Sequence, residues 1–509
     1  MNLIDGDDWL PVLDAGRFRR IGLQELLCTD GDFRLALPRD DMELSGLALA
    51  IALTQTLFLP ADVTQWRQRL KVPLTAAEYA ADIEPYRDWF DLDHAKRPFM
   101  QTRGVKAAET TPIQKLFIGL PDGVSHTFFN PEGEIGAVCG GCAAIALFHQ
   151  ASVCPSFGGG FKGSLRGAAP VTTFVDVPDS GPGSLRRRLW RNVLPAPEIA
   201  RLLPGAPTGR DDLPVWMLPV VAGSTVHAGS IGLRRGLFWQ PAHVELRPAA
   251  AGDCEHCGAS GVARHGGFLK EKFVYTLAGL WPHPHSPRQW TVKKGEREER
   301  FLSFTTTAPA WTQLSQYVFR QEATREGHAP ASVVAAWTAA LPGAQPLNLL
   351  VGGYRNNQAN VIERRHELFS FAPGWEDAQA QIEACVGDAL AVRSALRGSL
   401  YWAAKGQKDH FKGLGVAVHE PADGRFLARS GALLLAELRE IDWAHEDWSI
   451  RLDAYRAALV TLAEAIFAEA VAPYRHDPEL IHAIAAARGK LARDLKPLRP
   501  PKEEEAVQA

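Results

Sequence analysis

The sequence is short of several features that would assign it to a class at once. It has no run of about 20 apolar residues of the kind that spans a bilayer. Its longest apolar stretch, Leu44 to Leu59, contains Ser45, Thr54, Gln55 and Thr56 and stops at Pro60, which predicts a buried helix and no membrane association. Charge of one sign is not in excess: 55 Lys and Arg face 58 Asp and Glu, a formal net charge of −3. No global field therefore draws the chain to polyanions, and nucleic-acid contact would need local patches. The opening Met1 to Leu10 is acidic where a secretory signal would be basic. Seven cysteines, an odd number in 509 residues, do not describe a disulfide framework. Both features predict a reducing cytoplasm. The local motifs of P-loop NTPases, HExxH metalloproteases, GxSxG hydrolases and kinases are all missing, which lowers an enzymatic reading without removing it.

What is present points to a multidomain globular chain. A length of 509 residues predicts two to four domains, and 46% hydrophobic against 22% charged residues is enough apolar surface for a large core. Up to about Phe371 the chain is dense in Gly and Pro, with short Val/Thr/Phe/Tyr-rich runs such as Val171 to Val175. That is the texture of strands and loops, interrupted by helices such as Asp40 to Leu59. After Pro373-Gly374 the period changes. Leu452, Tyr455, Leu459, Leu462 and Ile466 form a helical stripe, as do Leu480, Ile484, Ala487, Leu491 and Leu495, with Asp477 as N-cap and Pro478 behind it. Ile382 to Leu400 and Leu427 to Leu438 supply two more. The expectation is an α+β chain: a mixed α/β domain over 1–373, an antiparallel four-helix bundle over 374–497 and a flexible tail over 498–509.

The most specific chemical pattern is Cys139-Gly-Gly-Cys142 with Cys254-Glu-His-Cys257. Two CxxC turns offer the four thiolates of a tetrahedral structural zinc, which would tie distant segments together. Two unrelated turns, or one redox pair, remain the alternatives. Cys28, Cys154 and Cys385 read as ordinary buried thiols. Gly158-Gly159-Gly160 formally opens a GxGxxG string, but Gly167 and Pro170 leave no room for the helix that a dinucleotide site needs. Three glycines instead supply bare backbone that can lie against a grooved surface, beside Lys162 and Arg166, or merely a surface loop. In Phe268 to Phe273, Lys270 and Lys272 share one face of a strand and Leu269 and Glu271 the other. Gly352 to Gln358 is a compact polar loop. The histidines of Trp281-Pro-His283-Pro-His285-Ser-Pro287 have no third metal ligand nearby in sequence.

Several of these segments, in order, resemble the CasA family, the large subunit of the type I-E CRISPR surveillance complex Cascade. They are Met1 to Ile4, Leu37 to Glu43, Pro98 to Thr102, Cys139 to Cys142, Phe157 to Lys162, Gly236 to His243, Phe268 to Phe273, Gly279 to Pro287 and Gly352 to Gln358. The resemblance implies a non-catalytic protein that reads the protospacer-adjacent motif (PAM) of double-stranded target DNA through the minor groove. It implies that the chain starts strand separation and docks a helicase-nuclease, beside crRNA and the other Cascade subunits. On this chain the family's glycine loop falls on Gly158, Gly159 and Gly160, its minor-groove lysine on Lys272 and its amide pair on Asn357 and Gln358, with Gln358 as the wedge. A loop toward the crRNA end falls near Phe129 and Asn130, where Pro131 and Glu134 depart from the family pattern. No organic cofactor is implied. A zinc-dependent or thiol-redox enzyme and a purely structural scaffold subunit are the competing readings.

Overall fold

The computed structural model describes residues 1–120, 133–340, 346–443 and 445–499. It is a mixed α and β structure whose chain divides into two compact units. The first comprises Met1–Thr306, Gln316–Ala340 and Asn348–Leu368; the second comprises Thr307–Ser315, Leu341–Leu347 and Phe369–Ala509. Inclusion of Thr307–Ser315 in the second unit is a feature that the change of texture near Pro373 does not reveal.

The first unit is organised around the helix Asp40–Leu57. Asp40, Asp41 and Glu43 sit in its first turn, where carboxylates oppose the positive end of the helix dipole. Apolar residues surround it on every side, as befits a helix inside a core: Leu47, Leu49, Ile51 and Leu53 are all but inaccessible. Its buried Gln55 is satisfied by the backbone of Leu194, donating Nε2 to the carbonyl at 2.9 Å and accepting the N–H at 2.6 Å. The helix ends at Leu57, before Pro60, and packs on the helix Gly140–Ser152, which is buried along nearly its whole length.

Two sheets frame that helix pair. In one, the long strand Val262–Glu271 pairs antiparallel with His243–Gly252 and also with the short strands Thr111–Pro112 and Val138–Cys139. In the other, Leu347–Asn357 lies between Asn360–Phe371 and the antiparallel Thr172–Asp176, in a register that sets Leu350 against Phe174. The apolar run Phe273 to Leu277 contributes only to the short strand Thr276–Ala278, because Phe273 and Tyr275 turn inward to stack on His243 and on each other.

The second unit contains the helices Gln379–Lys405, His419–Glu440, Trp448–Val471 and Ile481–Asp494, and the first of these packs against each of the other three. The stripes read from periodicity are largely buried: Ile382, Ala389, Leu396 and Leu400 on one helix, Leu452, Tyr455, Leu459 and Ile466 on another, where the expected Leu462 is only half-buried and Ala463 beside it is buried instead. Ion pairs Arg393–Asp423 at 2.7 Å and Arg456–Asp388 at 2.7 Å fasten neighbouring helices at their margins. By length and composition alone, Trp448–Tyr474 is apolar enough to cross a membrane; its apolar face is the one just described. One boundary differs from expectation. Asp477 does not cap the last helix: its carboxylate accepts the Glu479 N–H at 3.0 Å in a tight turn, and the helix starts at Ile481. A side chain committed two residues on cannot also reach the first turn of the helix.

Candidate metal centre and nucleic-acid groove

The four cysteines predicted to act together do meet. The Sγ atoms of Cys139, Cys142, Cys254 and Cys257 all lie within 4.8 Å of one another, and the residues are buried. Cys139 and Cys257 sulfurs are 3.8 Å apart, close to the edge of a tetrahedron with ~2.3 Å metal–sulfur bonds and far beyond a disulfide. Both turns are knuckles in which backbone N–H groups point at sulfur. Cys142 N–H donates to Cys139 Sγ at 3.5 Å, Cys257 N–H to Cys254 Sγ at 3.5 Å and Cys139 N–H to Cys254 Sγ at 3.2 Å. Hydrogen bonding to its sulfur from the other three thiols pulls Cys254 well below the usual thiol range. The hydrogen bond from Cys142 brings Cys139 down to about 7, while Cys142 is pushed up. Four negative sulfurs at this spacing cannot coexist unaided; a divalent cation is what would let all four ionise, so the residues fit a tetrathiolate zinc. Gly141 is obligatory for the fit, since a Cβ there would lie 2.1 Å from the Trp9 carbonyl oxygen. Among the described residues no other group of three or more His, Cys, Asp or Glu ligand atoms is close enough to hold one ion.

Cys154 and Cys385 are buried thiols as expected, but Cys28 is only half-buried. His283 and His285 form no metal site: His285 N–H donates to His283 Nδ1 at 3.1 Å, and His285 Nε2 lies 2.9 Å from the Asn192 carbonyl.

Three segments distant in sequence line a groove of about 650 Å³. Gly158, Gly159 and Gly160 form one wall with φ of +79°, +55° and +85°, a left-handed run that side chains resist. Lys272, just past the strand Val262–Glu271, donates from Nζ to the Gly159 carbonyl at 3.1 Å. Lys270 reaches the same loop from the same strand face, its Nζ 5.2 Å from the Phe157 ring centre. Opposite stands the hairpin turn after Leu347–Asn357, where Gln358 holds φ +54° and Ala359 sits 3.3 Å from the position of a Gly158 Cβ. Gln358 lines the groove, while Asn357 ends the strand beside it. Phe129 and Asn130 lie outside the described residues.

Residues that no motif signalled hold this hairpin. Tyr354 Oη donates to Asp41 Oδ2 at 2.7 Å and lies 2.8 Å from His149 Nε2, whose Nδ1 is 2.6 Å from Ser45 Oγ. Burial drives His149 down to about 4, so the ring is neutral at pH 7. Tyr354 has spent its proton on Asp41. His149 must therefore donate from Nε2 and accept the Ser45 hydroxyl proton at Nδ1. Burial opposes ionising Asp41, but hydrogen bonds from Arg39 and Tyr354 keep its carboxyl far below the usual range. Arg364, on the hairpin's return strand, pairs with Asp40 at 2.6 Å. Sequence carried no sign of this network, because its members are single polar residues on four separate segments.

The family model for CRISPR-associated protein Cse1 matches residues 2–467. CRISPR-associated protein CasA/Cse1 of Thermus thermophilus is 29% identical over 228 residues, a stretch covering 43% of this chain and 42% of that relative. The crystal structure of Thermobifida fusca Cse1 superposes with a TM-score of 0.71 at 17% identity, over 98% of this chain and 99% of that one. A chain of a CRISPR RNA-guided surveillance complex superposes with a TM-score of 0.65 at 16% identity, over 97% of this chain and 99% of that one.

Purified protein is expected to carry about one zinc per chain, and Cys257→Ser to lower metal content and thermal stability together. Metal analysis that finds no zinc in well-folded protein would sink the assignment. A second expectation concerns acid. His149 binds its proton more weakly folded, at about 4, than unfolded, at the ordinary histidine value of 6.5. Its contribution to stability is complete above 6.5 and is lost as pH falls toward 4, at a cost of up to about 3 kcal/mol. Urea unfolding at several pH values should therefore show a shallower acid slope in His149→Gln than in the parent; equal slopes would remove the role.

Proposed function

The chain belongs to the CRISPR-associated protein Cse1 family, and from that membership we propose that it is the large, non-catalytic subunit of a type I-E RNA-guided surveillance complex. In this reading it recognises the PAM in double-stranded DNA through the minor groove, starts duplex opening and docks the helicase-nuclease. Its other partners are crRNA and the remaining Cascade subunits, in the cytoplasm. The four helices of the second unit act as the antiparallel bundle, and zinc in the four cysteines is structural.

The observation that carries the reading is the single groove shared by Gly158 to Gly160 and Gln358, with Lys272 bonded to its glycine wall. Each part suits the task. The minor groove of B-DNA is only ~6 Å wide, and a wall without side chains can approach it closely. A lysine at that wall offers a donor to the acceptors on the groove floor, whose pattern is degenerate, so several PAM sequences would be accepted. Gln358 protrudes from a hairpin gripped at its base by Tyr354 and Arg364. A rigid mount of that kind is what a wedge between base pairs requires, since unstacking costs a few kcal/mol per step. Delegating sequence to the guide RNA leaves the protein to sense PAM and shape, as in another CRISPR effector.

Lys272→Ala should weaken binding of PAM-containing duplex to the assembled complex by roughly 1 to 3 kcal/mol, with little change on pre-opened, single-stranded target. Equal losses on both substrates would reduce the lysine to a phosphate contact or a structural role. Gln358→Ala should slow R-loop formation more than it weakens initial capture, and should recover on DNA carrying a mismatched bubble beside the PAM. Stopped-flow traces with the same defect on paired and bubble targets would reject the wedge.

A further inference from the structure

Arg166 is the most anomalous charged residue of the first unit. Its side chain is 6% exposed, yet among the described residues no carboxylate pairs with it. Every partner of its guanidinium is neutral: Nη1 donates to Thr172 Oγ1 and Ser286 Oγ, both at 2.8 Å, and Nη2 to the Ser152 carbonyl at 2.6 Å and Ser152 Oγ at 3.1 Å. Nε has no partner. The neighbouring His283 and His285 are held neutral by their own burial. A buried cation without a counter-charge is costly, and a neutral side chain could fill the same space more cheaply. Something other than stability must account for it.

The identity of the partners says what. Ser152 is the last residue of the helix Gly140–Ser152, from which the glycine segment departs; Thr172 is the first residue of the strand Thr172–Asp176, into which it returns. Arg166 thus joins the two ends of the loop that contains Gly158 to Gly160. Ser286 belongs to the buried Trp281 to Pro287 segment, which provides the fixed floor. The fork is presented inward by a turn in which Gly167 N–H donates to the Ser164 carbonyl at 3.0 Å and Ser164 Oγ to the Gly167 carbonyl at 3.0 Å. Glycines have the greatest backbone freedom of any residue, so three in succession adopt one pitch only if the loop is held at its roots.

We propose that Arg166 is a positioning residue for DNA reading: its planar fork, seated on Ser152, Thr172 and Ser286, sets the pitch of the glycine wall against Lys272 and Gln358. The inference rests on the proposed PAM-reading function. Geometry rather than charge is the working element. Lysine keeps the charge but has no planar fork and cannot span three partners on separate segments.

The test uses the full chain, assembled with its guide-RNA complex, on guide-matched duplexes whose flanking bases are randomised, and on single-stranded target. Arg166→Met and Arg166→Lys are expected to lose at least tenfold in affinity for the flank-selected duplexes and to keep single-strand affinity. Amide hydrogen exchange over residues 156–164 should accelerate at least tenfold in both, while the rest of the unit retains its protection. Ser286→Ala, which leaves Arg166 in place, should show the same pattern more weakly, and it decides the matter if the Arg166 variants do not fold. If Arg166→Lys matches the parent, the fork is not needed and the proposal fails. Unchanged exchange over 156–164 also overturns it. A parent complex indifferent to flanking bases would instead overturn the PAM reading, and the exchange result would still stand or fall by itself.

Discussion

Four sulfurs from segments far apart in sequence have to meet within 4.8 Å, and the geometry of the groove follows from that requirement. The helix Gly140–Ser152 grows directly out of the first cysteine turn and, at ~1.5 Å per residue, carries its end about 20 Å away to the root of the glycine loop. The strand Val262–Glu271 leaves the second cysteine turn and, at ~3.3 Å per residue, delivers Lys270 and Lys272 about 30 Å on. Both limbs meet again where Lys272 donates to Gly159. The sulfur cluster and this contact are the two ends of one closed circuit. A slip at the cluster would displace the lysine from the loop, so an ion held by the cysteines would constrain the groove as well as add stability.

A second interlock sets the opposite wall. The hairpin bearing Gln358 has no sulfur anchor; it grips the acidic first turn of Asp40–Leu57 with one residue from each strand, Tyr354 on Asp41 and Arg364 on Asp40. Since Asp41 also holds Arg39, and Tyr354 also touches His149, the Tyr354 side of the grip is a buried network in which each polar group is satisfied by the next, while the Arg364–Asp40 pair lies at its partly exposed margin. Such networks add little net stability, because desolvation offsets most of the attraction, but they tolerate only one arrangement. A wedge needs that uniqueness more than it needs stability.

How far the sequence discloses these features depends on whether a residue's role repeats. The helices of the second unit were legible because apolar residues recur every three or four positions, and the burial of Leu459 and Ile466 follows that period. The cysteine cluster was legible because two thiols three apart are a rare and chemically specific pattern. The glycine loop was legible as irregular backbone, and Gln358 only through family resemblance, since an amide in a turn is ordinarily just a turn. Tyr354, His149 and Ser45 were not legible as a network, and Arg166 was legible only as a basic flank of the glycine segment, not as the buried residue it is. Each is a single residue whose meaning lies in a partner up to hundreds of positions away. The N-cap expected of Asp477 failed for a local reason: an aspartate serves a turn or a helix start equally well, and only the backbone decides which.

Charge balance shows how a chain with a net charge of −3 can present a basic groove. In the helix Ser184–Arg191 four arginines share three aspartates: Arg186 pairs with Asp30, Arg188 with Asp176, and Arg187 and Arg191 both with Asp179. Those charges act as internal fastenings and project little field. The described residues that line the groove include no carboxylate, while Lys162 lines it and Lys272 stands at its glycine wall. Arg166, buried behind the same loop, has only neutral hydrogen-bond partners among the described residues. The local potential is thus set by where acidic residues are withheld, not by an excess of basic ones, and this is why net charge carried no hint of it.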